Sequence, residues 1–518
     1  MSSNTYPAPA LESLLEALRS SFRCEIVDHA ARPITYLDTF DWRLHRAGGC
    51  LRLAPERSGP TLSWLAEDGT VRHRMPAKTA PPFAGDFPPG ALRRAIEPVI
   101  AMRRLLVVVD LRLSGCTVNV LDRREKTVVR LHYEEGRAAA PESQGEPVEL
   151  PPVLRVQPIR GYDRARQKVV RYLERDLGLE PVAGSEYERA LHAIGRQAGD
   201  YTSKAKIELD PAMPAGEAAK LIHRTLLATL RRNEAGTRRD LDSEFLHDFR
   251  VAIRRTRSAL SQLRGVFPAA DVERFKGELR WLGGVTGPTR DLDVYLLKMD
   301  GYKAELAEAV RQDIEPLQKY LVAEQRRAQR RMVRQLDSSR CQSLLADWEA
   351  FLQQPDELDG APNAGRPIAE VASERIWKVY RRVIKEGLAI DQTTPAEALH
   401  DLRIRCKKLR YLMEFFRGLY DPAKIGKLIK ALKQLQDNLG DFNDYEVQQM
   451  SLAGFGEDMQ RRGAAPAETL MAMGRLIEHL AAGQQRERDR FAERFARFSR
   501  PVNRQLAEDL FGPRGGAG

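Results

Sequence analysis

The spacing of hydrophobic residues changes character near residue 200. Before that point, short β-branched runs bounded by Gly, Asp or Pro predict strands. These runs lie at residues 105–109, 117–120 and 127–131. Helical periodicity at 91–100 and 163–177 predicts two short helices, and a stretch rich in Pro, Glu and Gly at 138–152 predicts a loop. The first 200 residues therefore predict an α+β domain.

From residue 217 onward, nearly every segment has helical periodicity. The predicted helices cover residues 217–232, 244–263, 272–282, 292–298, 314–336, 368–385, 395–419, 425–435 and 467–498. Turn signals at Phe267-Pro268, Gly287-Pro288 and Asp421-Pro422 separate several of them. A polar loop at 353–366 divides the region into two parts, about 205–352 and 367–510. We predict an all-α helical bundle over 205–510, after an N-terminal domain at 1–200.

The helical half contains a sequence that occurs twice. Residues 246–294 reappear as 399–447 without a gap. The matching positions include Leu279 and Leu432, Leu282 and Leu435, Gly287 and Gly440, and Arg290-Asp291 with Asn443-Asp444. Self-similarity at a fixed offset is typical of an internal duplication. The repeating unit is predicted to be a helical hairpin, so two such units would form a bundle with a twofold internal repeat.

Each copy begins with a helix that carries one His and three cations on one stripe. Positions i, i+3, i+7 and i+10 of a helix lie within about 80° of one another. The stripes are His247, Arg250, Arg254 and Arg257 in the first copy, and His400, Arg403, Lys407 and Arg410 in the second. Apolar faces lie about 100° away, at Leu246, Phe249, Ile253 and Leu260, and at Leu399, Leu402, Cys406 and Met413. A single basic face is usually a solvated surface, but repetition in one register favours a groove lined by both stripes.

The net charge and the cysteines indicate which kind of partner the protein binds and in which cellular compartment it lies. The 518 residues carry a formal net charge of +11, which is typical of binding to nucleic acid, an anionic membrane surface or a phosphate polymer. The five cysteines are scattered and lack CxxC spacing, which argues against a disulfide framework or a zinc module and favours a reducing cytoplasm. No stretch approaches the roughly 18 consecutive apolar residues of a membrane span. We expect a soluble protein without a membrane partner.

The sequence offers little evidence for a metal site, a nucleotide-binding loop or a catalytic nucleophile. His247-Asp248 and His400-Asp401 could be considered as a metal site, but the neighbouring cations would repel a metal ion. The chain has no P-loop, no GxSxG and no GxGxxG between a strand and a helix. Cys406 lies on an apolar face and is predicted to be a core residue. We therefore predict no cofactor, no metal site and no catalytic residue.

The paired His-x-x-Arg-x-x-x-(Arg or Lys)-x-x-Arg helices, followed by Arg290-Asp291 or Asn443-Asp444, resemble the CHAD family, the conserved histidine α-helical domain. The resemblance covers about residues 205–510. It implies a pseudo-symmetric helical bundle that binds inorganic polyphosphate through basic residues of a central groove, often at polyphosphate granules. The implied binding residues are His247, Arg250, Arg254, Arg257, His400, Arg403, Lys407 and Arg410, with Arg280 and Lys433 as second-tier candidates.

The N-terminal half resembles a CYTH domain, the triphosphate tunnel fold that often precedes CHAD. The residues that carry this resemblance run from Tyr36 to Gly48, followed by Leu51-Arg52-Leu53. The resemblance implies an antiparallel β barrel. Functional members carry a Glu-x-Glu-x-Lys strand that holds divalent metal, and the corresponding region here, 24–29, lacks it. We expect a degenerate, non-catalytic barrel in which Arg52, Arg103 and Arg104 remain candidates for contacts with anions.

The leading hypothesis is a non-enzymatic polyphosphate-binding protein of the cytoplasm, associated with polyphosphate granules. Two alternatives stay open. The first is a metal-dependent triphosphate or polyphosphate hydrolase that acts through the N-terminal domain. The second is a nucleic-acid-binding protein, which is disfavoured because the basic helices lack interleaved aromatic residues for base stacking. Reversing Arg250 and Arg403 to Glu is expected to abolish polyphosphate binding.

Overall fold

The computed structural model describes residues 5–56, 58–141, 146–203, 207–354 and 360–513. The chain divides into two compact units, Met1–Lys204 and Ala205–Gly518. The predicted domain boundary at 200–205 and the predicted loop at 353–366 fall partly on 204–206 and 355–359, which lie outside the described residues. Within the described residues, no helix combines the length and hydropathy needed to cross a membrane.

The first unit is built on one antiparallel sheet. Its strands, within the described residues, are β1 (Thr5–Pro7), β2 (Arg23–Thr39), β3 (Gly49–Glu56), β4 (Gly59–Ala66), β5 (Val71–Pro76), β6 (Leu105–Leu121), β7 (Thr127–Ala139) and β8 (Val148–Pro158). The strand order is β1-β8-β7-β6-β2-β3-β4-β5. The helices are α1 (Leu11–Ser21), α2 (Arg43–Arg46), α3 (Ala91–Ile100), α4 (Asp163–Arg171) and α5 (Glu186–Ala193). The predicted α+β class is confirmed.

The sheet is compatible with a CYTH-like domain, but it is not a closed barrel. Within the described residues, the edge strands β1 and β5 pair with β8 and β4 and not with each other. The short β1 and the largely exposed residues of β5 leave both edges open. The predicted CYTH-like antiparallel sheet is therefore present in this part of the chain, but it does not close into a barrel.

Strand β6 unites two strands that the sequence pattern separated. The predicted strands at 105–109 and 117–120 are its two ends. Between them, buried Leu111 and Leu113 alternate with exposed Asp110, Arg112 and Ser114, which is the period-two pattern of a half-buried strand. The predicted loop at 138–152 is also too long, since β7 extends to Ala139 and β8 begins at Val148; residues 142–145 lie outside the described part.

The segment that suggested the CYTH resemblance has a structural role. Buried Asp38 accepts hydrogen bonds from the backbone N–H groups of Leu44 and His45, both at 2.9 Å, and so fixes the α2 turn. Arg103 is 1% exposed and pairs with Asp41 at 3.4 Å. Of the candidates for contacts with anions, Arg103 is thus placed in the interior, where its guanidinium pairs with Asp41.

The second unit is built from helices joined by turns and loops within its described residues. Its helices are α6 (Ala215–Arg238), α7 (Ser243–Gln262), α8 (Ala269–Leu297), α9 (Met299–Glu305), α10 (Glu315–Leu336), α11 (Ser339–Gln353), α12 (Ile368–Leu388), α13 (Ala396–Phe415), α14 (Pro422–Arg461), α15 (Ala467–Phe498) and α16 (Pro501–Phe511). The predicted all-α class is confirmed. The predicted break at Gly287-Pro288 is wrong, because α8 continues through Pro288.

The helix starts keep the offset of the sequence repeat. Helices α6, α7 and α8 begin 153 residues before α12, α13 and α14, respectively. Pro214 and Pro367, which precede α6 and α12, form an antiparallel β-bridge. That the two halves share one fold remains a prediction from the sequence.

The predicted apolar faces of α7 and α13 are confirmed as core. Leu246, Phe249, Ile253 and Leu260 of α7 are at most 3% exposed, and Leu399, Leu402, Cys406 and Met413 of α13 are at most 2% exposed. All eight belong to one hydrophobic cluster. Because this burial fixes the rotation of each helix about its axis, it also fixes where the cationic stripes lie.

Candidate functional site

The first stripe begins one turn into α7. Asp242 caps this helix, and its carboxylate accepts hydrogen bonds from the backbone N–H groups of Glu244 and Phe245. An Asp at the N-cap satisfies orphan donors and stabilises the helix start. His247 follows and is half-buried. Arg290 of α8 donates to the Ser243 carbonyl at 2.9 Å, which joins α8 to the same end of α7.

Arg250 is used mainly inside the protein. Its Nη1 donates to the Gly283 carbonyl at 2.8 Å and to the Thr286 hydroxyl at 2.9 Å, both on α8. Burial lowers the pKa of Arg250, and the nearby Arg254 and Arg290 lower it further. Arg250 therefore joins α7 to α8 and is only partly available to a ligand.

The other two arginines of this stripe face outward. Arg254 is exposed, and Arg257 is half-buried. Burial lowers the pKa of Arg257, with a further contribution from the positive charge of Arg280 on α8. The structure thus brings Arg257 and the second-tier candidate Arg280 into electrostatic contact, at the edge of the stripe.

The second stripe is held by α14. His400 is hydrogen-bonded through Nδ1 to Oδ1 of Asn443 at 2.7 Å, and Arg403 donates from Nη2 to Asp444 at 3.3 Å. These partners are the Asn443-Asp444 pair of the sequence repeat, which orients two of the four stripe residues. Lys433 is exposed on α14, and no contact within the described residues joins it to either stripe.

The two stripes converge where α7 meets α13. Burial lowers the pKa of Arg403, and the positive charge of Arg254 on α7 adds to this effect against the opposing charge of Asp444. Burial also lowers the pKa of Lys407, to about 8, with further contributions from Arg403 and Arg254. One cation of the first stripe therefore lies within electrostatic range of two cations of the second. We call His247, Arg250, Arg254, Arg257, His400, Arg403, Lys407 and Arg410 the α7/α13 cationic surface.

One carboxylate spans this helix pair and was not predicted from the sequence. Glu414 of α13 accepts a hydrogen bond from Arg255 of α7 at 2.5 Å and pairs with Arg410 at 3.5 Å. Arg255 and Arg410 also stack over the ring of Tyr411. Arg255 lies next to the stripe in sequence but off its helical face, so periodicity gave no signal for its contact with the other copy.

Some hydrogen-bond donors of the α7/α13 cationic surface have no acceptor. The Nε atom of Arg403 is buried without a hydrogen-bond partner, and among the described residues no hydrogen bond or ion pair engages the Lys407 ammonium. A buried donor without an acceptor costs about 1–3 kcal/mol. A ligand that supplies several anionic oxygens would relieve both the unpaired donors and the repulsion.

Several charged and polar side chains of the first unit pair with one another on its sheet. On the sheet, Glu134 pairs with Arg32 and with Arg155. The hydroxyl of Thr117 is hydrogen-bonded to His29 at 2.6 Å and to His132 at 2.8 Å. Among the residues that the structure describes, no group of three or more His, Cys, Asp or Glu has the placement of a metal site.

Comparisons with known proteins place the α7/α13 cationic surface within one domain. Residues 222–453, from α6 to α14, match the family model described as "CHAD domain". Among solved structures, the chain is similar to the crystal structure of the CHAD domain from the plant Ricinus communis, with 25% identity and a TM-score of 0.48, covering 56% of this chain and 95% of that one. It is also similar to PptA from Streptomyces chartreusis, with 17% identity and a TM-score of 0.42, covering 55% and 99%. Curated proteins gave no match.

Proposed function

Residues 222–453 are a CHAD domain, and we propose that this domain binds inorganic polyphosphate along the α7/α13 cationic surface. The observation that carries the proposal is the convergence of Arg254 from α7 with Arg403 and Lys407 from α13. Three cations from two helices, held close without enough carboxylates to neutralise them, favour a ligand with several adjacent negative charges. Polyphosphate has one such charge on nearly every unit.

The residue types suit phosphate oxygens. The planar guanidinium of Arg offers paired N–H donors that match two oxygens of one phosphate, whereas Lys acts as a compact point charge. Positions three and four apart on a helix are about 5–6 Å apart, so neighbouring stripe residues can contact successive phosphates. Arg254, Arg403, Lys407 and Arg410 are proposed as direct contacts.

The remaining candidate residues are proposed to extend the binding surface or to hold its helices in position. Arg257 and Arg280 extend the surface along α7 and α8, since the charge of Arg280 acts on Arg257. Arg250 positions α8 against α7 through Gly283 and Thr286 and contacts the ligand with its remaining donors. His247 and His400, the first residues of the two stripes, are proposed to contribute at the ends of the surface.

We propose that binding occurs without turnover, in the cytoplasm and at polyphosphate granules. The cations that converge without matching carboxylates lie on the helical domain, while Arg32 and Arg155 of the sheet are paired with Glu134. Hydrolysis through the first unit would require divalent metal, and nucleic-acid binding would require groove-reading or base-stacking groups. Both alternatives therefore predict measurable behaviour that the proposal does not.

The test is a titration with long-chain polyphosphate at several salt concentrations, using the wild-type chain and the double variant Arg254→Glu/Lys407→Glu. These two residues are preferable to Arg250, whose reversal would break the bonds between α7 and α8. Each hydrogen bond to a charged group contributes about 1.5–3 kcal/mol, so the pair should lose at least on the order of a hundredfold in affinity. The slope of log affinity against log salt should become shallower by about two.

A matched control separates the surface from general charge. The double variant Arg326→Glu/Arg330→Glu makes the same charge change at two exposed positions of α10 and should lose far less affinity. Equal losses in both variants would contradict the assignment of the site. Orthophosphate release in the presence of magnesium would move the function to catalysis, and stronger competition by DNA than by polyphosphate at fixed ionic strength would favour nucleic-acid binding.

A further inference from the structure

A second group of cations lies on the other side of α13, between α13 and α12. It comprises Arg264 after α7, Arg375 and Arg382 of α12, and Arg405 and Lys408 of α13. We call these five residues the α12/α13 patch. None of them belongs to the α7/α13 cationic surface, and the stripe pattern of the repeat does not include them.

Charge interactions connect the five residues. Burial lowers the pKa of Lys408, and Arg405, Arg375 and Arg382 lower it further against the opposing charge of Asp401. Burial likewise lowers the pKa of Arg375, with a contribution from Arg264. The patch therefore gathers cations from three segments of the chain at short range.

Carboxylates neutralise only part of this charge. Glu386 pairs with Arg405 and, at 2.8 Å, with Arg382, and Asp401 acts on Lys408. Arg375 donates one hydrogen bond to Gln262 at 3.1 Å, and its Nε is buried without a partner. Among the described residues, no hydrogen bond or ion pair engages the Lys408 ammonium.

Four of the five patch residues lie in the second half, and three of these four have no cation at the matching position of the first half. At the offset of 153 residues, the positions that match Arg375, Arg382 and Arg405 are occupied by apolar or hydroxyl residues: Ile222, Thr229 and Ala252. Lys408 matches Arg255, which is engaged by Glu414. The duplicated motif therefore does not explain why these cations occur together.

The position of the α12/α13 patch relative to the α7/α13 cationic surface indicates which ligand the patch would bind. Lys407 belongs to that surface and Lys408 to the patch, and consecutive helical residues point about 100° apart. A helix with its side chains is about 10–12 Å across. A flexible polyanion that leaves the first surface over α13 therefore meets the patch after crossing one helix.

We propose that the α12/α13 patch is a second phosphate-binding site, which takes the continuation of a long polyphosphate chain already held on the α7/α13 cationic surface. This proposal rests on the proposed function. It adds a length requirement: a short chain occupies the first surface alone, while a long chain engages both and gains affinity through the effective concentration of its bound part.

The experiment compares a short-chain with a long-chain polyphosphate fraction by calorimetry at fixed ionic strength, then repeats the long-chain titration over a salt series. The variant is Arg264→Glu/Lys408→Glu, which changes two patch residues whose side chains make no hydrogen bond within the described residues. The control is Arg326→Glu/Arg330→Glu on α10. Circular dichroism and thermal melting check folding, and Arg264→Lys/Lys408→Arg should restore wild-type binding.

The expected result is a loss on the order of tenfold or more in long-chain affinity, with a salt slope shallower by about two, and unchanged high-affinity binding of the short chain. Long-chain affinity that is unchanged, or reduced no more than in the α10 control, would overturn the patch while leaving the proposed function intact. An equal loss for short and long chains would also overturn it, because one continuous site would then be at work. Failure of the wild type to bind either fraction would instead remove the proposed function and the patch together.

Discussion

Lys407 should make polyphosphate binding depend on pH. Burial, together with Arg403 and Arg254, lowers the pKa of its ammonium to about 8. The groups that face it are Arg403 and Arg410 from its own helix, Arg254 from α7 and Asp444 from α14. A bound phosphate chain would reverse this balance, because anionic oxygens stabilise the charged form. Binding above pH 8 is thus coupled to the uptake of a proton.

The size of the effect follows from the two pKa values of Lys407. If the pKa in the complex returns to the ordinary lysine value of about 10.4 from about 8 in the free protein, affinity falls about tenfold between pH 7 and pH 9. Below pH 7 the side chain is charged in both states and contributes no pH dependence. The sign is therefore fixed: affinity is highest at low pH and decreases as pH rises through 8.

Calorimetric titration with a short-chain polyphosphate fraction, which the proposal assigns to the α7/α13 cationic surface alone, measures this dependence at pH 7, 8 and 9 and constant ionic strength. Lys407→Arg is the matched variant, because Arg stays protonated throughout this range. The wild type should lose about tenfold in affinity while the variant stays nearly flat. The same pH dependence in both proteins would refute the reasoning, since another group would then be titrating.

Three further predictions concern stability and the neutralising carboxylate. His223 is fully buried, neither of its ring nitrogens is hydrogen-bonded, and burial lowers its pKa to about 3. Because the unfolded chain takes up this proton and the folded chain does not, the free energy of unfolding should decrease as pH falls from 6.5 to 3. His223→Leu should raise the free energy of unfolding in urea by about 1–3 kcal/mol and make its decline over this pH range shallower. Glu414→Gln should tighten polyphosphate binding a few-fold by calorimetry, since one charge at 4 Å in water contributes about 1 kcal/mol. Gly236→Ala should lower the free energy of unfolding by about 1–3 kcal/mol, because its Cβ would overlap the Phe245 ring, whereas Gly284→Ala, where a Cβ meets open space, should raise it by about 0.5–1 kcal/mol. Wild-type stability in the His223 or glycine variants, or unchanged affinity in the Glu414 variant, would contradict the corresponding contact.

Periodicity identified most helices but failed where tertiary contacts override local signals. The pair Gly287-Pro288 reads as a turn because Pro removes a backbone donor and disfavours the preceding helix. Helix α8 nevertheless continues. One turn before Pro288, Arg250 donates to Gly283 and Thr286 and ties this segment to α7. That contact joins residues more than 30 positions apart, so no local pattern contains it.

The candidate site shows a similar division. Helical spacing placed the stripes correctly relative to the apolar faces, because burial of residues such as Phe249 and Leu402 fixes helix rotation. The same spacing treated Arg250 and Arg254 as equivalent. The structure distinguishes them, since Arg250 is bonded to α8 while Arg254 is exposed near Lys407. Contacts with neighbouring helices decide which cations remain available to a ligand, and the sequence pattern does not contain those contacts.

A crystal structure of the protein with bound polyphosphate tests the central claim most directly. The proposal predicts a phosphate chain between α7 and α13, with oxygens about 2.7–2.9 Å from the side-chain nitrogens of Arg254 and Lys407. An ordered chain bound elsewhere on the protein, with neither Arg254 nor Lys407 in contact with a phosphate, would contradict it.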